Sequence, residues 1–132
     1  MNRIVVRFLD GHVLKGFTND FLPVKDHFHL VSEGQPPGTK PQEIRIAELK
    51  ALFFVKTFEG DPQHQEPADA PAAKAGQGRR IRVVFKDGET LVGTTQGYDR
   101  SRPGFFVVPL DAASNNERCF VVTAATREVS FL

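Results

Sequence analysis

The chain has no tryptophan, one tyrosine, one methionine and one cysteine in 132 residues. A lone Cys119 excludes an internal disulfide and fits a reducing compartment. No stretch approaches the roughly 18 consecutive apolar residues of a membrane span. Met1-Asn2-Arg3-Ile4 leads straight into a strand pattern, without the apolar run of a signal peptide. A cytoplasmic protein with no membrane role is the expectation. An excess of charge is lacking too: 17 basic residues face 16 acidic ones, for a net charge of +1. That balance leaves no basic footprint of the kind nucleic-acid binders carry. No Gly-rich phosphate loop stands between a strand and a helix. No Ser-His-Asp or paired-carboxylate arrangement follows from spacing. The expectation is therefore no enzyme and no cofactor.

What the chain has in quantity is phenylalanine, at 12 residues. Phe carries no polar handle, so most of these rings belong in a core or an interface. The chain also has a repeat. Slid by 77 positions, Arg3, Ile4, Val6, Phe8, Asp10, Gly11, Leu14, Gly16 and Thr18 fall on Arg80, Ile81, Val83, Phe85, Asp87, Gly88, Leu91, Gly93 and Thr95. The β-branched runs 4–9 and 81–86 alternate with period two and read as strands, the recurring apolar set facing inward and Arg82 and Lys86 outward. Asp10-Gly11 and Asp87-Gly88 are hairpin signals. Second strands follow at 13–18 and 90–95, each with an interior glycine that marks a sharp bend. Third strands fall at 27–32 and 104–109, with Phe28/Phe105 and Val31/Val108 recurring at opposite parity. Loops at 33–42 and 110–119 precede fourth strands at 43–47 and 120–124. A single helical turn is expected over Glu48–Ala51 and its counterpart Ala125–Glu128, before last strands at 52–58 and 129–132.

Three segments result: a first unit at 1–58, a Pro/Ala-rich linker at 59–78 and a second unit at 79–132. A unit of about 55 residues is marginal alone, so the two are expected to pack together, or the protein to form a homo-oligomer. The order of strand, Asp-Gly turn, bent strand and three further strands resembles the Sm-like variety of SH3-like small barrel. Gly88, Leu91, Gly93, Tyr98 and Asp99 match that family's first motif. Gly11, Leu14, Gly16 and Phe21 match it in the first unit, where Leu22 replaces the Asp. The chain departs where Arg100-Ser101-Arg102-Pro103 follows Asp99, and where Val122-Thr123-Ala124-Ala125 lacks the apolar-Arg/Lys-Gly step. The pattern with Gly104-Phe105-Phe106, Pro109, Asp111 and Asn115-Asn116 also resembles an uncharacterised bacterial domain family. The implied fold is all-β: two tandem five-stranded SH3-like or Sm-like small barrels packed with internal pseudo-symmetry.

Candidate binding residues gather in the second unit. Tyr98, Asp99, Arg100, Arg102 and Phe106 set two arginines beside aromatic rings on a loop, an arrangement that stacks a base or grips a phosphate. Asn115, Asn116 and Arg118 lie on the next loop, where partner-binding residues concentrate. The leading reading is a non-catalytic binding or regulatory module that engages a protein partner through loops and edge strands. RNA binding through Arg100, Arg102, Tyr98 and Phe106 is the alternative. A metal or enzyme site at His27 and His29, with His12 or Asp26, is the weaker one, and the expectation is no metal. Arg79-Arg80 with Arg82 is similar to the arginine-rich lead-in of PilZ domains, but the companion Asp/Asn-x-Ser-x-x-Gly step is absent.

Overall fold

A computed structural model describes residues 2–36, 38–58, 78–110 and 114–132. The first half supplies β1 (Asn2–Phe8), β2 (Val13–Thr18), β3 (His27–Ser32), β4 (Gln42–Arg45) and β5 (Leu49–Val55). The second supplies β6 (Arg79–Phe85), β7 (Thr90–Thr95), β8 (Gly104–Pro109), β9 (Asn116–Val122) and β10 (Thr126–Phe131). A 3₁₀ turn joins the last two strands of each half, at Ile46–Glu48 and Thr123–Ala125. The described residues form an all-β structure with no α-helix. The linker expected at 59–78 falls, apart from Gly78, outside the described residues.

The strand pairing repeats with the sequence. Ile4 lies opposite Gly16, and Ile81 opposite Gly93. Phe28 lies opposite Ile44, and Phe105 opposite Val121. Val6 lies opposite Leu52, and Val83 opposite Val129. Each interior glycine sits where two backbones nearly touch. A Cβ on Gly16 would come 2.2 Å from the Val31 carbonyl oxygen, and one on Gly93 would come 2.3 Å from that of Val108. No other residue fits such an approach. The hairpin glycines Gly11 and Gly88 hold positive φ, as the turn requires.

One pairing has no counterpart. β5 runs antiparallel to β9, so Ala51, Leu52 and Phe53 face Val121, Phe120 and Cys119. The ten strands therefore form one open order, β10-β6-β7-β8-β9-β5-β1-β2-β3-β4. Two closed barrels are not what this pairing shows: no ladder joins β4 to β5 or β9 to β10. The reason lies at the seam, where β5 and β9 satisfy each other's backbone groups instead. Leu52, Phe120, Val121 and Cys119 are buried there within one core that spans both halves. Phe21 reaches across it, edge-on to Phe28 and Phe54 of its own half and to Phe106 and Phe120 of the other, with centroids 5.0–6.2 Å away. Lys50 ties the same junction, its ammonium 2.7 Å from Asp87 and paired also with Glu89.

Other sequence expectations change with the seam. Asn116–Cys119 is strand, because β5 supplies a ladder partner that the sequence of that stretch does not announce. Leu49–Ala51 is strand as well, and the helical turn lies earlier, at Ile46–Glu48. Leu49 and Ala51 are wholly buried, so burial outweighs helical propensity. Thr126–Glu128 likewise belongs to β10, with its turn at Thr123–Ala125. On the third strands the parity is settled in favour of Phe28 and Leu30, and of Phe105 and Val107, all inward.

Candidate functional site

β7 and β8 pair only at Gly93–Pro109 and Thr94–Val108. Beyond Thr95 the chain leaves β8 and loops through residues 96–103, while β8 continues along β9. The divergence opens a cleft of about 770 Å³. Phe106 and Phe120, opposite each other on one face of the β8–β9 pair, form its floor, and Phe105 also lines it. One wall is the loop from Gln96 to Pro103, and the other includes Arg118. Pro23 and Val24 of the first half close one end, so both halves contribute. The size and apolar floor suit a ligand or an inserted peptide side chain. The rim is apolar as well: Val24 is 77% exposed and Val108 42%.

Arg118 is one of three charged residues that line the cleft, with Asp99 and Arg102. Its guanidinium carbon lies 4.2 Å from the Phe54 ring centroid and 4.6 Å from that of Phe106. This cation–π contact holds the head group in place. Among the described residues no carboxylate lies within ion-pair distance of Arg118. Asp99, by contrast, is engaged locally. Its Oδ1 accepts the Ser101 hydroxyl at 2.7 Å and the Ser101 N–H at 2.9 Å, an Asx turn that shapes the loop. These two hydrogen bonds, with Arg102 nearby, hold the Asp99 carboxyl below its ordinary value.

Of the residues singled out in the sequence, Tyr98, Asp99, Arg102, Phe106 and Arg118 line this cleft together. Arg100 does not. It lines a separate recess of about 580 Å³ on the other side of Tyr98, with Thr123 and residues 126–129. Asn115 sits at the end of the seam. Its amide oxygen accepts the Thr57 N–H at 3.0 Å, and its amide nitrogen donates to the Thr57 carbonyl at 2.9 Å. It splices the two halves. Asn116 pairs with Val55 in the same region, away from the cleft. Thr95, Gly97 and Val24 line the cleft without having been singled out by sequence; the available signal was the mismatch between Asp20 and Gly97 at one repeat position.

His27 and His29 do stand side by side, with ring centroids 5.8 Å apart. Each ring engages a carboxylate through Nδ1, His27 with Asp26 at 2.7 Å and His29 with Asp20 at 2.6 Å. Among the described residues no group of three potential ligands gathers to hold a metal. Cys119 is buried in the seam, and burial pushes its thiol far up, which keeps it protonated. No helix of the described residues is long and apolar enough to cross a membrane.

Comparison with known proteins adds a family without an activity. The whole chain, residues 1–132, matches a family of unknown function (DUF6982), and the chain belongs to it. No curated protein matches, and no solved structure does.

Proposed function

We propose that this member of a family of unknown function is a non-catalytic binding module, and that its cleft at the seam holds a segment of a protein partner. One observation carries the reading: a stacked arginine with no carboxylate partner among the described residues stands beside an apolar floor of phenylalanines and an exposed aliphatic rim. Aromatic and arginine side chains in desolvated pockets are the usual anchors of protein interfaces. The same proposal takes the two halves to be duplicated, bent SH3-like or Sm-like units whose junction creates a site neither has alone.

The loops carry this role better than the outer strands. At one edge β4 is short, follows Pro41 and bears the Glu43–Arg45 ion pair at 3.3 Å. At the other, β10 bears exposed Arg127 and Glu128. Proline and charge on edge strands discourage further strand addition.

The experiment is affinity purification from the source cells with the wild-type chain and with Arg118→Gln, followed by mass spectrometry and an absorbance spectrum. A protein retained by the wild type and lost from Arg118→Gln supports the reading. With no Trp and one Tyr the protein absorbs weakly at 280 nm, so copurified RNA would raise the 260/280 ratio sharply. A nucleic-acid spectrum that disappears at high salt would replace the protein partner with RNA.

A further inference from the structure

The first half fills, with its own side chain, the position that the second half leaves open. In the first half Asp20 folds back onto β3. Its Oδ1 accepts the His29 backbone N–H at 2.9 Å and the Thr18 hydroxyl at 3.1 Å, and its Oδ2 engages the His29 ring at 2.6 Å. The strand N–H beside the loop is thus capped by a carboxylate.

Seventy-seven positions on, the same backbone is present without the carboxylate. Thr95, Gly97 and Phe106 stand in place of Thr18, Asp20 and His29. His29 lies opposite Glu43, and Phe106 opposite Phe120, in matching register. The Thr95 hydroxyl, with no carboxylate to meet, donates to the Phe106 carbonyl at 2.8 Å and the Gly97 carbonyl at 3.1 Å. In an extended strand a residue's N–H and C=O lie on the same side. The Phe106 N–H therefore points to the Thr95 side of β8, and both residues line the cleft. A Cβ built on Gly97 meets nothing within 4 Å, so a side chain at this position would start into open space, and glycine leaves it without one. Arg118, absent at the matching position of the first half (Pro41), stands beside the ring of Phe106.

From this comparison within one chain we infer that the cleft takes an acidic side chain of the partner protein, its carboxylate seated on the Phe106 N–H as Asp20 is seated on that of His29. Arg118 supplies the counter-charge, and the apolar floor and rim take the residues flanking the acid. A carboxylate accepting a backbone N–H beside a stacked guanidinium is a charge-assisted arrangement stronger than a neutral one. The inference rests on the proposed binding role and specifies what is bound.

The test is an NMR titration following the backbone amide of Phe106. The probes are an acetylated, amidated Phe-Asp-Phe tripeptide and its Phe-Asn-Phe analogue, each taken to about 10 mM to detect weak binding. The Asp peptide is expected to shift the Phe106 amide and to bind at least about tenfold tighter than the Asn peptide, a difference of about 1.4 kcal/mol. Arg118→Gln is expected to remove that preference. Gly97→Asp is expected to supply the carboxylate internally, shift the Phe106 amide without ligand and abolish binding of the Asp peptide. Equal binding of both peptides at Phe106 overturns the carboxylate inference and leaves the binding role standing. No shift of any cleft amide with either peptide overturns the inference, and the affinity purification judges the binding role separately. The two-peptide comparison uses wild-type protein, so it decides the matter even if Gly97→Asp fails to fold.

Discussion

Arg118 of β9 lies over the ring of Phe54 of β5, its guanidinium carbon 4.2 Å from the centroid, across a strand pair that joins the two halves. The contact belongs at once to the seam and to the cleft. Removing it separates the two roles. Arg118→Gln is expected to cost only about 0.5–1 kcal/mol of stability, the worth of an exposed cation–π contact. Partner capture is expected to fall at least about tenfold. Chemical denaturation paired with the affinity purification measures both. A loss of binding matched by a large loss of stability would make Arg118 a structural residue.

Phe21 predicts how the halves depend on each other. Its ring meets aromatic side chains from both. Phe21→Ala is expected to destabilise the whole protein by about 2–3 kcal/mol, somewhat below a fully buried phenylalanine because Phe21 is only half-buried. Calorimetry is expected to show one transition, lowered by roughly 6–12 °C. Two resolved transitions would mean that the halves fold independently.

The glycines offer a contrast within one strand–loop unit. Gly93→Ala drives a methyl group into the Val108 carbonyl and is expected to cost at least about 2 kcal/mol. Gly97→Ala enters open space and is expected to stay within about 0.5 kcal/mol of wild type. Thermal denaturation of the two variants checks this. Equal effects would contradict the close approach at Gly93.

The Lys50 junction predicts a pH profile. Burial pulls the Lys50 amine down, but the hydrogen bonds it donates to Asp87 and Glu89 outweigh that and leave it raised. The Lys50 hydrogen bond, followed by the Glu89 N–H, lowers the Asp87 carboxyl. Asp87 therefore adds stability above its unfolded carboxylate pKa, and loses it as pH falls through the lower folded value. Lys50 adds stability below its unfolded value, and loses it as pH rises through the higher folded one. A plateau between the two windows is expected, falling away in acid and in strong base. Melting temperature against pH for wild type and Lys50→Met measures it. Lys50→Met should flatten both flanks; an unchanged profile would remove Lys50 from the account.

Much of the local fold was legible because its causes are local. Asp-Gly turns, alternating β-branched runs and the glycines at positions 16 and 93 marked the strands, turns and bends of each half. The seam was not legible. Nothing in Asn116–Cys119 says that Phe53–Val55 will lie beside it, since that pairing spans the chain and rests on shared apolar burial. For the same reason the expected barrel closure gave way to an open order, and Leu49–Ala51 turned from helical turn to strand. The cleft was half legible. Tyr98, Arg102 and Phe106 stood out as an arginine among aromatic rings. The meaning of Gly97 emerged only once Asp20 was seen capping the His29 N–H.

The most direct measurement is site-specific photo-crosslinking inside the source cells from two exposed positions, Val108 on the cleft rim and Val13 on β2. A photo-reactive residue at 108 is expected to yield one discrete protein adduct, lost when Arg118→Gln is added, while position 13 yields none. Adducts that form equally at both positions, or that persist at 108 without Arg118, would contradict a binding cleft at the seam.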